Sequence, residues 1–189
     1  EPTGACTDAV AKGHFSYNGF LSESLAVELV DAHGKPDFIT FTNVFAHIEN
    51  LQEVLRALKI MMSETTVIII ENHYLGSVLE GSQFDTFYHE HPRTYSYGSF
   101  AKMAQTLNTQ ISGVEFPARY GGNIRIFFGN FEHNNSAGLV DLDALAVRES
   151  KFINDFSLMR ENIKTWINVK RGYIQTQFDK HGKLRAKAF

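Results

Sequence analysis

The clearest periodicity in the chain lies over 49–62, where Leu51, Val54, Leu55, Leu58 and Met61 or Met62 recur on one stripe and predict an amphipathic helix. Two short apolar runs flank it. Asp37 to Asn43 is β-branched and aromatic with few charges, the pattern of a strand covered on both faces, and Thr65 to Ile70 reads as a second buried strand. Strand, helix and strand with short connections predict a βαβ unit of a parallel sheet. Ligands of such sheets lie beyond the carboxyl ends of the strands. Asn43 and His47 follow the first strand there, and Glu71, Asn72, His73 and Tyr74 the second.

The rest of the chain falls into shorter segments. A helix over 7–12 ends at Gly13, an alternating stretch over 14–21 reads as a strand with Phe15, Tyr17 and Phe20 inward, and a helix over 24–32 stops at Gly34. Later come a helix over 97–107 capped by Ser96 or Ser99, and strands over 110–116 and 123–128 joined as a long hairpin. A polar loop over 131–138 leads to a long helical region over 139–177, broken near Ser150 or Gly172, and a basic, loose tail over 180–189. The expected organisation is an α/β sheet domain over 1–131 with a helical extension over 132–189.

Composition narrows the classes of function. The 189 residues are 43% apolar and 21% charged with a net charge of −3, ordinary for a soluble domain and without a basic stripe for nucleic acid. The longest aliphatic run, Val67 to Ile70, is far too short to span a membrane. A single cysteine, Cys6, excludes an internal disulfide and makes a reducing cytoplasm the default.

Candidate chemistry concentrates in Phe84-Asp-Thr-Phe-Tyr88-His89-Glu90-His91-Pro92. One phenol, one carboxylate and two imidazoles stand in four consecutive residues between regular elements. A surface loop holding two histidines by chance is the alternative. Tyr88 and His91 share a face only in a turn, and Pro92 predicts that the turn ends at His91. His89 is expected to face solvent.

Three stretches together resemble the sugar C-methyltransferases, enzymes that use S-adenosylmethionine to methylate C-3 of nucleotide-linked 4-keto deoxysugars. They are Glu1-Pro-Thr, Thr42-Asn43-Val-Phe-Ala-His47-Ile, and Phe84-Asp-x-x-Tyr88-His-Glu90-His91, the last followed by Tyr95-Ser and by Tyr120-Gly121-Gly122-Asn123-Ile-Arg125. The resemblance implies a Rossmann-like class I methyltransferase sheet, incomplete at its N-terminus. The family's zinc module, first strand and Gly-rich cofactor loop would precede Glu1, and its C-terminal domain would follow the long helices; both missing parts are expected partners in activity.

The implied reaction removes a proton next to a ketone and lets the enolate attack a sulfonium methyl, which needs a base near neutral pKa and donors for the oxyanion. His91 is the expected base because imidazole titrates near working pH. Tyr88 is expected to donate to the enolate oxygen or share the proton transfer, and Glu90 to orient His91 or hold a sugar hydroxyl. Glu1, Asn43 and His47 are candidate cofactor contacts, His47 reading equally as a cap for the helix starting near Glu49. Glu71, His73 and Tyr74 are candidate substrate contacts. Gly121 and Gly122 serve a tight turn, and Arg125 is expected to pair with a glutamate rather than a diphosphate. Two rival readings are a metal-dependent hydrolase using His47, His73, His89, His91, Glu71 and Glu90, and an inactive or partner-dependent fragment of the same fold.

Overall fold

A computed structural model describes residues 4–130 and 140–185. The sequence signals for helix ends recur as observed caps. Helix α1 (Gly4–Ala11) precedes Gly13, whose φ is +86°. Helix α2 (Glu23–His33) starts where Ser22 accepts from the Leu25 amide, and Gly34 closes it with an N–H to the Val30 carbonyl. Strand β1 (Phe38–Thr42) leads to a single 3-10 turn (Phe45–His47) and then α3 (Leu51–Met61). Asn50, not His47, caps α3, its side chain accepting from Glu53 N.

Strand β2 (Val67–His73) runs parallel to β1, completing the expected βαβ unit. Helices α4 (Leu75–Glu80) and α5 (Tyr97–Leu107) follow, α5 opening on a capping box between Ser96 and Ser99. Strands β3 (Ile111–Glu115) and β4 (Asn123–Phe128) pair antiparallel, and β4 also pairs antiparallel with β2, giving the order β1-β2-β4-β3. The sheet is therefore mixed. Helices α6 (Leu142–Glu149) and α7 (Phe152–His181) complete the described chain.

Four expectations change. The polar cluster after the second strand lies inside β2: Glu71, Asn72 and His73 are ladder residues opposite Arg125, Ile124 and Asn123. Charge inside a strand is tolerated here because the residue opposite is a cation. Strand β1 is not covered on both faces. Its only neighbour among the described residues is β2, Ile39 is buried, and Phe38, Thr40 and Thr42 are exposed. Residues 14–21 form no strand, with Phe15 94% and Phe20 80% exposed, because alternation yields a strand only where a neighbour accepts its ladder, and none lies beside it among the described residues. The long helical region breaks at Ser150 and Lys151 and continues through Gly172 to His181, so Lys180 and His181 belong to α7 rather than to a loose tail. The polar loop expected over 131–138 lies outside the described residues.

The core joins Leu55 and Leu58 of α3, Phe100 and Met103 of α5, and Ile68, Ile70, Ile124, Ile126 and Phe128 of the sheet. Phe100 is its centre, fully buried, stacked on Tyr95 at 5.1 Å and edge-on to Phe128 at 6.2 Å. Phe100→Ala is expected to cost about 3–5 kcal/mol in urea unfolding, as for other buried aromatics; a loss well under 1 kcal/mol would remove Phe100 from the centre of the core.

Candidate functional site

The site forms where the segment after α4 crosses the carboxyl ends of β1 and β2. A 3-10 turn (Phe84–Thr86) and a bend in which the His91 amide donates to the Tyr88 carbonyl at 2.9 Å bring Tyr88 and His91 to one side. The Tyr88 hydroxyl lies 3.1 Å from His91 Nε2, and the ring centroids are 4.3 Å apart. His91 Nδ1 is 3.3 Å from the Thr86 carbonyl. A carbonyl only accepts, so Nδ1 carries the proton of the neutral ring. Nε2 is then the acceptor, and the Tyr88 hydroxyl donates to it.

Two residues directly after the bend fix it against the neighbouring strand end. Arg93 donates from Nη1 to the Ile48 carbonyl and from Nη2 to the Glu49 carbonyl at 3.0 Å. Tyr95, buried, donates its hydroxyl to the Phe45 carbonyl at 3.0 Å, and burial pushes its pKa up to about 12. These bonds hold the His91 segment to the turn that carries His47. His47 and His91 consequently meet edge to face at 4.6 Å, and His73 from the end of β2 faces His91 at 6.4 Å. Burial first, and then the neighbouring His47, hold the pKa of His91 below the ordinary imidazole range, with His73 adding to the shift; the Thr86 carbonyl and Glu90 oppose it.

The remaining candidates divide between cleft and scaffold. Glu90 does not orient His91 by a hydrogen bond. Its carboxylate lies 3.7 Å from solvent-facing His89, and the orienting group is the Thr86 carbonyl. Tyr74 is fully buried against Phe116 at 5.0 Å, with the Arg148 guanidinium 5.2 Å above its ring, which places it in the core. Burial pushes its phenol above the usual range.

Glu71 is also a scaffold residue, 3% exposed with both oxygens engaged. Oε1 accepts from Asn123 Nδ2 at 2.9 Å and pairs with Arg119 Nε at 3.5 Å. Oε2 accepts from Arg125 Nε at 2.9 Å and Nη2 at 2.6 Å. Arg125 reaches on to Glu115 at 2.7 Å, the glutamate pairing expected of it. Burial alone raises a carboxyl pKa, yet the hydrogen bonds from Asn123 and Arg125 outweigh it and leave Glu71 below its usual value. Asn43, in a left-handed conformation with φ 54°, accepts from Asn123 Nδ2 at 3.2 Å and donates its amide to the Glu71 carbonyl at 2.7 Å. Glu1 lies outside the described residues. Among the described residues no group of three or more His, Cys, Asp or Glu side chains is placed to hold a metal ion.

No family model matches the sequence. Over 109 residues, however, it is 29% identical to the C-methyltransferase NovU of Streptomyces niveus, an alignment covering 58% of this chain and 26% of that protein. The chain is similar to a C-methyltransferase. It spans about a quarter of the length of that relative. The mixed α/β fold, with a parallel βαβ unit and antiparallel strands added beside it, fits an α/β methyltransferase-like sheet. No described helix is long and apolar enough to cross a membrane.

The candidates Tyr88, His91, His47 and His73 come together in space, but the sequence carried no sign of which residues assemble them. Arg93 and Tyr95 were visible in the same motif, directly after Pro92. Their targets are backbone carbonyls some 45 and 50 residues away, and a carbonyl has no sequence signature.

Replacing Glu71 by Gln should destabilise the protein at pH 7 by about 3 kcal/mol, since it leaves Arg125 without its main partner. The folded pKa of Glu71 lies below 4.5, so its contribution is complete above the unfolded value and fades as pH falls through the folded one. Urea unfolding from pH 7 to pH 3 should show the gap between wild type and Glu71→Gln narrowing once the pH falls below the unfolded value; parallel curves at all pH values would deny the carboxylate its charged role.

Proposed function

We propose that the protein is a methyltransferase using S-adenosylmethionine, built on a Rossmann-like class I sheet, that transfers a methyl to carbon next to the ketone of a nucleotide-linked deoxysugar. The carrying observation is the Tyr88 hydroxyl donating to His91 Nε2 at 3.1 Å, beside the carboxyl ends of β1 and β2 and in ring contact with His47. The C-methyltransferase relative supports the class of reaction.

The polar groups at the strand ends suit a polar cofactor and substrate. Asn123 Oδ1 and His73 Nδ1 are buried there without a partner, beside Asn43. Asn43 and His47 are the residues that would hold the cofactor, which supplies an electrophilic methyl when bound. His91, with its proton fixed on Nδ1 by Thr86, keeps an Nε2 lone pair for the acid/base step. The α-proton of the sugar passes to Nε2, directly or through the Tyr88 oxygen as the phenol proton moves to Nε2, and the C–H electron pair becomes the enolate. In the direct route Tyr88 is free to donate to the enolate oxygen. Glu90, exposed and without a hydrogen bond to His91, would serve to hold a sugar hydroxyl.

A neutral base is favoured by the same crowd of imidazoles. His47 and His73 face His91 from the two strand ends, Tyr88 and Glu90 from its own segment. Protonating His91 adds a cation beside two groups that can also become cations, so its proton is held less tightly.

Incubation of a protein that carries the expected flanking modules with S-adenosylmethionine and a panel of nucleotide-linked 4-keto-6-deoxyhexoses should yield, for at least one of them, a product heavier by one methylene. His91→Ala should abolish turnover while cofactor affinity by calorimetry stays near wild type; turnover within tenfold of wild type would remove His91 as the base. The acid limb of kcat/KM should fall below about pH 6.5, the ordinary imidazole value. His47→Asn should move that limb up by removing a like charge, and a limb unmoved or lowered by the substitution would contradict the electrostatic account.

A further inference from the structure

Tyr120 occupies a backbone conformation that bulky residues rarely adopt, with φ 54° and ψ 31°. The turn around it is held from several directions. Gln83 Nε2 donates to the Gly121 carbonyl at 3.2 Å, the Tyr74 amide to the Gly122 carbonyl at 3.1 Å, and the Asn123 amide to the Pro117 carbonyl at 2.9 Å. Gly121 and Gly122 both have positive φ, and a Cβ on either would come within 2.5 Å of the Gln83 or Ser77 side chain. Arg119, one residue before, is anchored beside buried Glu71.

Packing gives no reason for a tyrosine at this position. Its side chain is 66% exposed, and glycine would take the same φ without steric strain. The ring faces His73 at 6.4 Å, and His73 in turn faces His91 at 6.4 Å. A hydrogen-bonded turn therefore holds an exposed aromatic ring beside the His73 and His91 imidazoles. Strained residues held by over-determined surroundings concentrate at ligand sites, and an exposed aromatic face stacks well on flat rings.

We propose that Tyr120 is a stacking platform for a flat ring of the nucleotide-linked substrate, either its base or the apolar face of its hexose. The proposal rests on the nucleotide-sugar reading above. Calorimetric titration of the full chain with thymidine diphosphate and with thymidine diphosphate glucose tests it, using wild type, Tyr120→Phe and Tyr120→Gly. Tyr120→Phe keeps the ring and should bind as wild type. Tyr120→Gly keeps the backbone and loses the ring, so affinity should fall roughly tenfold, a stacking-sized effect, while the thermal midpoint holds or rises. Loss for both ligands places the base on the ring, and loss for the sugar conjugate alone places the hexose there. Wild-type affinity for both ligands in Tyr120→Gly overturns the platform, as does a loss accompanied by a falling thermal midpoint in both variants. A wild-type chain that binds neither ligand overturns the nucleotide-sugar reading and the platform with it.

Discussion

A carboxylate taken out of water at the end of β2 is the constraint to which the rest of the structure answers. An unpaired charge buried as deeply as Glu71 would revert to the neutral form or destabilise the end of the strand that carries it. Its partners come from separate elements: Arg125 opposite it on β4, Asn123 at the start of the same strand, and Arg119 from the hairpin turn. Through Asn123 the network reaches Asn43 at the end of β1. One acid thus fixes the relative positions of three strand ends and the turn that carries Tyr120, which is the frame a ligand cleft requires.

The segment that carries Tyr88 and His91 is mounted on that frame by bonds to backbone carbonyls. Arg93 and Tyr95 tie the chain just beyond His91 to residues 45, 48 and 49, and the Thr86 carbonyl fixes which nitrogen of His91 is bare. Each bond has a side-chain donor and a main-chain acceptor, so the acceptor half of the arrangement is placed by the backbone fold. Preorganised geometry matters for proton transfer because hydrogen-bond reach leaves only a few tenths of an ångström of tolerance.

Much of this was legible in the chain. The stripe on α3 and the apolar runs beside it foretold the βαβ unit, and the Tyr88 to His91 spacing with Pro92 foretold a turn that joins phenol and imidazole. The errors share one cause. Local pattern reports what a segment favours, not what lies beside it. Residues 14–21 alternate like a strand but meet no ladder among the described residues, and Glu71 to His73 look too polar for a strand until Arg125 and Asn123 are placed opposite. Tyr74 stands next to polar neighbours in sequence yet turns into the core beneath Arg148. Glu90 is adjacent to both His89 and His91, and sequence adjacency says nothing of which imidazole its carboxylate approaches.

The segment before the bend is supported from the other flank by α7. Phe84 meets Trp166 edge to face at 5.5 Å, and Phe87 lies 6.4 Å from Phe156. These contacts use the first half of a 30-residue helix in which Met159 is the one buried residue. An aromatic placed on each side of Thr86 is a physical reason for its carbonyl to stay aimed at His91, since moving the 3-10 turn would separate Phe84 from Trp166 and Phe87 from Phe156. The helix therefore acts on the site without touching it: its packing against Phe84 and Phe87 holds the carbonyl that selects the tautomer, and the tautomer decides which nitrogen can receive a proton.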